Sequence, residues 1–461
     1  MTAAHFPSPT VDRWAALARK ALKDVPLEGL SRTDGDGLTI APLYADDGAS
    51  VVSAPRPGQV EGRPWDLRVL VEAGAAVQTN AVVLDELTGG AASAVLTGVA
   101  LVDPDAMSRA LEGVALELAP IGLDAGIHGA AAASALAVAA KGSPRARLML
   151  HLDPISAFAR DGGAPRAIEI EVAQAAATAA RHAQPYPAAT LFLASGRAAH
   201  EAGGTIGQEL GFALASAAAW LRAGVEAGLS VERTLTGTVL GLSVDAEYLD
   251  GVAKLRAARL MWRSFARAAG VETLATIEAR SSGRMLGLRD PWPNLLRLTA
   301  AGFAGAVGGA DAVILDGFTA AIGAPDAFAR RLARNTQLVL MDEAHLGRVD
   351  DPAAGAWFLD ARTRDLARAG WAEFQRIEGE GGLIAALKAG TIQARLAQAR
   401  DMRRAAYAGG EAVLVGVNRF VDPQPRPAAA APRDPMAPSP GDVCAPLIPI
   451  RWAEPYEETG A

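Results

Sequence analysis

A single cysteine, Cys444, in 461 residues leaves no partner for an intrachain disulfide and no thiolate set for a metal cage. Lysine is almost as scarce, with only Lys20, Lys23, Lys141, Lys254 and Lys388. The 44 Lys plus Arg stand against 51 Asp plus Glu, and a net charge of −7 does not suit a phosphate backbone, which needs a concentrated positive field. Long apolar runs are also missing. The longest, residues 130–140, is about half of a ~20-residue membrane span and consists mostly of alanine. His5, Asp12 and Arg13 precede any long apolar run, so no secretory signal is visible. These absences point to a soluble cytoplasmic protein. Its length suits two to four domains, or one large barrel with flanking pieces.

What is present is a recurring unit. Short apolar, β-rich runs at 65–71, 94–99, 115–119, 147–152, 190–195, 238–243, 274–279 and 311–316 make eight candidate strands. Several are continuously apolar rather than alternating, as expected for parallel strands covered on both faces. Segments 202–224, 251–269 and 325–336 have helical periodicity between them. Eight strands with helical crossovers over about 250 residues predict an α/β fold, a (β/α)8 barrel. A doubly wound open sheet is the competing architecture.

The flanks divide the chain further. Residues 1–60 hold an amphipathic helix around 14–22 and an extended arm at 38–44, the barrel occupies 61–345, and a C-terminal helical extension occupies 346–420. Within that extension, 360–404 is helical with a break at 379–382, and 412–417 reads as a short strand. Residues 421–461 form a Pro-rich tail, with seven prolines in positions 421–440.

Individual motifs carry little chemistry. Asp342-Glu343-Ala344-His345 follows an apolar run, as an acidic pair does in nucleotide-driven helicases. No Gly-Lys-Ser/Thr phosphate loop accompanies it, so it reads as an acidic strand-to-loop cap. Gly203-Gly204-Thr205-Ile206-Gly207 opens a helix, where free N–H groups favour an anion; tight backbone packing is the plainer reading. The six histidines (5, 128, 151, 182, 200, 345) show no metal spacing. His151 ends a predicted strand and His200 follows one, at the end where barrel enzymes keep catalytic groups. Glu278 and Arg280 share one face of the seventh strand. They read as a structural ion pair or, alternatively, as a substrate contact.

Longer strings are more specific. Ser195-Gly-Arg-Ala-Ala-His-Glu-Ala-Gly203, Lys254-Leu-Arg-Ala-Ala-Arg-Leu-Met-Trp262, Arg280-Ser-Ser-Gly283 with Asp290-Pro-Trp-Pro-Asn294, Ala333-Arg-Asn-Thr-Gln337, Val349-Asp-Asp-Pro352 and Val415-Gly-Val-Asn418 occur in that order. With Pro42-Leu-Tyr44 and Gly62-Arg-Pro-Trp65, the series resembles the substrate barrel of the coenzyme-B12-dependent acyl-CoA mutases, from about residue 12 to residue 420. The resemblance implies a (β/α)8 fold, a radical carbon-skeleton rearrangement, CoA threaded along the barrel and cobalamin over the strand ends.

The same resemblance implies a degenerate site. Catalytic members have Ser-Gly-Tyr-His where this chain has Arg197 and Ala198, and alanine cannot donate to a thioester carbonyl. Their Thr-His-x-Gln-Thr-Ser-Gly becomes a string with Glu278 and Arg280. Their polar Gly-Gly-Thr-Gln-Ser-Leu-His-Thr-Asn run becomes one containing Asp311 and Asp316, and the arm tyrosine falls on Leu70. The lower-ligand motif Asp-x-His-x-x-Gly is absent, and too few residues follow Asn418 for a cobalamin-binding domain. No catalytic, cofactor or metal residue is therefore assigned.

The expectation is a non-catalytic small (beta) subunit of methylmalonyl-CoA mutase, binding no cofactor itself. It would pair 1:1 with a homologous catalytic large (alpha) subunit that carries adenosylcobalamin. The alternatives are an accessory acyl-CoA-binding protein and the catalytic barrel of a split mutase. Arg197 and Arg280 would either form an anion site or close the channel by pairing with Glu278 or Asp316.

Overall fold

Leu148–Leu152 and Thr238–Val244 are buried at every position, as strands covered on both faces are. A computed structural model of the chain describes residues 10–457 except 24, 53, 56–62 and 433–441. His5 and Gly62 lie outside these residues. Eight parallel strands close a barrel in sequential order: β1 (Asp66–Glu72), β2 (Ser93–Thr97), β3 (Ile121–Asp124), β4 (Leu148–Leu152), β5 (Thr190–Ser195), β6 (Thr238–Val244), β7 (Thr276–Ser281) and β8 (Ala312–Ile314). Closure through β8 against β1 excludes the open doubly wound sheet. The fold is a (β/α)8 barrel.

Helices cover the outside, except for the first, none of whose residues is buried. In chain order they are α1 (Val11–Leu22), α2 (Ala76–Thr88), α3 (Pro104–Ala110), α4 (Gly129–Ala139), α5 (Pro154–Asp161), α6 (Ile168–Ala183), α7 (Arg197–Glu201), α8 (Ile206–Glu226), α9 (Val231–Thr236), α10 (Tyr248–Ala268), α11 (Pro293–Val307) and α12 (Ala327–Leu338). Strand side chains alternate between this layer and the barrel axis. Phe192 on β5 points outward and stacks on Trp220 of α8 with ring centroids 4.6 Å apart. Truncating a tryptophan buried like Trp220 costs about 3–5 kcal/mol.

A second helical layer follows, with α13 (Trp357–Gly379), α14 (Leu383–Ala389) and α15 (Thr391–Ala408). Gly381 and Gly382, both at positive φ, make the break before α14. Fully buried Arg256 of α10 ties this layer down, pairing with Asp360 and Asp351 at 2.9 Å each and donating to the Val52 carbonyl. The N-terminal arm packs against its own chain here. Asp34 pairs with Arg362 at 2.5 Å, and Tyr44 meets Phe358 edge-on.

Four local expectations change. Residues 115–119 form hydrogen-bonded turns, with Leu118 and Ala119 N–H groups donating to the Ala115 carbonyl. The strand starts beyond Pro120, which has no N–H to give a ladder. The last strand shortens to three residues. Val339–Glu343 is a π turn continuing α12, so the Asp342–Glu343 pair caps no strand. Residues 412–417 make only an isolated bridge, Val415 with Arg419.

The C-terminal residues return to the barrel, which composition gave no sign of. Ala430–Ala431 pairs with Ala324–Pro325 beyond β8, and Asp442–Val443 pairs with Gly163–Ala164 beyond β4. Ile450 N–H donates to the Glu201 carbonyl and Trp452 N–H to that of Arg284, beyond β5 and β7. The described parts of the segment therefore lie along the C-terminal rim. Among the described residues no helix is long and apolar enough to cross a membrane.

Candidate site at the barrel mouth and axis

Barrel enzymes do their chemistry at the C-terminal ends of the strands, and the inward side chains there decide what enters. In this barrel those side chains are charged, and they pair with one another. Arg280 on β7 donates to Asp316 just beyond β8, Nη2 to Oδ1 at 3.0 Å, and its Nη1 lies 3.6 Å from Asp124 Oδ2 on β3. Ser281 Oγ donates to the same Asp316 carboxylate at 3.1 Å. Burial opposes ionisation of Asp316, but Arg280 outweighs it and holds the carboxyl below the usual range.

A second charge set sits below. Arg68 of β1 donates from Nη1 to Glu278 Oε2 at 2.5 Å and from Nη2 to Asp66 Oδ2 at 2.6 Å, and its Nε reaches Ser93 Oγ. Despite its burial, Glu278 is held ionised below the ordinary carboxylate range by Arg68. His151 Nδ1 is 4.0 Å from Glu278 Oε2. Burial depresses the His151 imidazole to about 4, so it is neutral near pH 7. Its backbone sits at φ +43°, a left-handed conformation that is uncommon for a non-glycine residue. Asp153, the N-cap of α5, is pushed by burial up to about 7.

Leu70 of β1 packs with Val95, Met149 and Ile314 in a small apolar cluster inside the barrel, separate from the main core. Arg197 opens α7, where its N–H donates to Ser195 Oγ. Its guanidinium lies 3.8 Å from Glu201, with its basicity lowered by burial and by Arg280. Ala198 is half-buried against the main core. Glu278 and Arg280 do not pair with each other. Asp311 stands apart at the opposite end of the barrel, just before β8, where it pairs with Arg259 at 2.9 Å and accepts from the Ile277 N–H.

The other candidate motifs also satisfy themselves. The free N–H groups at the start of α8 are taken by the arm's own anion, as Asp36 accepts from Gly207 N–H and Thr205 Oγ. The preceding glycines are packed tight, since a Cβ on Gly204 would meet the Ala199 carbonyl oxygen at 2.7 Å. Ser282 Oγ, His200 and Glu209 form a file with contacts of 3.0 and 2.9 Å, the spacing of a nucleophile relay. Ser282 is fully buried, however, and Glu209 is also bound by Lys254 at 2.7 Å. Nothing can approach that hydroxyl.

Sequence reasoning missed Arg68 and Asp124. Arg68 is two residues before Leu70 and so shares its inward face, a signal the alternation carries. Asp124 was hidden by the misplaced third strand.

Fold and mouth define a (β/α)8 barrel protein whose ligand end is occupied by its own ion pairs. A family model described as "Methylmalonyl-CoA mutase" matches residues 91–438. The chain is 37% identical over 481 residues to the methylmalonyl-CoA mutase small subunit of Streptomyces virginiae, covering 99% of this chain and 76% of that one. It is 36% identical over 443 residues to a probable small subunit from Mycobacterium tuberculosis strain H37Rv, covering 90% and 70%. It is 29% identical over 472 residues to the small subunit of Propionibacterium freudenreichii subsp. shermanii, covering 93% and 72%. The chain belongs to the methylmalonyl-CoA mutase family.

The residues at this mouth do not fit cobalamin. A lower ligand needs an accessible imidazole. His151 and His200 are buried, and the exposed His128 after β3 and His345 after the π turn lack the Asp-x-His-x-x-Gly surround, with Gly126 and Glu343 in the Asp place and Ala131 and Arg348 in the Gly place.

Proposed function

We propose that this chain is the non-catalytic small subunit of a coenzyme-B12-dependent methylmalonyl-CoA mutase. In this reading the homologous large subunit interconverts (R)-methylmalonyl-CoA and succinyl-CoA, binds the adenosylcobalamin, and pairs 1:1 with this chain in the cytoplasm. The observation that carries the reading is the pairing of Glu278 with Arg68 and of Arg280 with Asp316. Groups that would steer a substrate are committed to each other, while Ala198 offers no donor.

What such a chain contributes is surface. Helix α1 is amphipathic, yet none of its residues is buried, and Val11 and Leu17 are more than half exposed. An apolar helical face in water is stabilised by covering it, and a partner that does so stabilises the folded state by mass action.

Co-expression with a homologous large chain tests the reading. A stable 1:1 complex on size exclusion, with turnover and cobalamin retained only by the complex, is the expected result. Two separate peaks, or turnover by this chain alone, refutes it.

A further inference from the structure

A subunit without catalysis can still bind substrate as a regulator, so the subunit reading leaves open whether this barrel takes in a thioester. The side chains along its axis decide that. In an eight-stranded barrel, strands four apart face each other across the axis. Arg280 is on β7 and Asp124 on β3, which are opposite walls, and their charged atoms are 3.6 Å apart. A methylene or pantetheine chain passing between two side chains needs facing heavy atoms about 8 Å apart, two contacts of about 4 Å each.

An apolar closure adds to the ionic one. The Val95–Met149–Ile314 cluster joins β2, β4 and β8, and β4 and β8 are again opposite walls. These three side chains are 1–5% exposed. The interior glycines leave no gap, since a Cβ on Gly122 would meet Met149 Cε at 3.0 Å and Val95 Cγ2 at 3.1 Å, and one on Gly241 would meet Leu193 Cδ1 and Ser195 Cβ at 3.2 Å. The Arg68–Glu278 pair, itself buried, adds a further ionic contact inside the barrel.

We infer that the axis of this barrel is closed by the chain's own side chains, an ionic plug at the mouth and an apolar one inside, so that the subunit excludes acyl-CoA thioesters. The plug takes the place of a ligand as barrel filling. This deepens the small-subunit reading and rests on it for the choice of thioester, but not for the closure itself.

The test uses the purified full-length chain with methylmalonyl-CoA and with CoA, up to about 1 mM, enough to half-fill even a millimolar site. Equilibrium dialysis should find no saturable binding, and the thermal midpoint should not move. Saturable binding, or a midpoint rise that CoA competes away, overturns the inference. Accessibility gives a second readout. In a Cys444→Ser background, Val95→Cys should react with a small thiol reagent only as fast as the protein unfolds. Rapid labelling of the folded chain overturns the closed axis. Neither result depends on complex formation with a large chain, so failure here and failure of the subunit reading are separate outcomes.

Discussion

Arg280 and Asp124 reach toward each other from opposite walls of the barrel, with 3.6 Å between Nη1 and Oδ2. That contact spans the space where a barrel of ligand-threading type must stay open. Charges of both signs keep the interior polar and fill it without a ligand. Buried pairs of this kind add little net stability, because desolvation offsets much of the Coulomb attraction. Once present, they are costly to break from one side.

Arg68→Met should therefore strand Glu278 as a buried, unpaired carboxylate and cost about 3–5 kcal/mol. The double variant Arg68→Met/Glu278→Leu removes both charges and should regain most of that loss. Urea unfolding checks it. A double variant as unstable as the single one would show that the pair is not the reason.

His151 and Asp153 predict opposite pH trends in one window. The folded-state His151 value of about 4 lies below the ordinary 6.5, so the unfolded chain takes up the proton first as pH falls. His151→Gln should gain stability relative to the parent between pH 6.5 and 4, by up to on the order of 3 kcal/mol. Asp153 is raised from 3.8 to about 7, so the unfolded chain loses its proton first as pH rises. Asp153→Asn should gain relative to the parent from pH 4 to 7. Two pH curves parallel to the parent's would contradict both assignments.

Asp36 is the anion that caps α8 from the arm. Asp36→Ala should cost about 1 kcal/mol and make the adjoining arm, residues 38–44, the first site of limited proteolysis. Unchanged cleavage of the arm would show that it is held elsewhere, as by Asp34 with Arg362.

Arg197→Tyr/Ala198→His introduces at the mouth the Tyr-His pair that the resemblance implies for catalytic members. No mutase turnover should appear, even with adenosylcobalamin supplied, because Arg280, Asp124 and Asp316 still occupy the mouth. A measurable rate in this variant alone would count against the ionic closure.

Much of the architecture was legible before any coordinates. Mostly apolar runs such as 147–152 and 238–243 mark strands buried on both faces, and their spacing with helices between them points to an α/β fold; the barrel was favoured over an open sheet, and closure of β8 on β1 decided it. Strand edges were less legible. The third strand slipped because alternating Ala, Leu and Glu at 115–119 resembles a strand, whereas Pro120 forces a turn before the ladder starts. Positions 278, 280 and 316 stood out in the sequence one by one, but their partners in space did not. Arg68 and Asp124 lie far from residues 278 and 280 along the chain.

Composition and periodicity determined the α/β class and the number of strands, because burial of a strand or a helix face is a local property repeated along the chain. The shape of the interior was decided in three dimensions. Whether Arg280 binds a ligand or reaches Asp124 depends on which walls of the closed cylinder face each other. Charge pairing acts over a few ångströms between residues more than 150 positions apart, and only folding sets that distance.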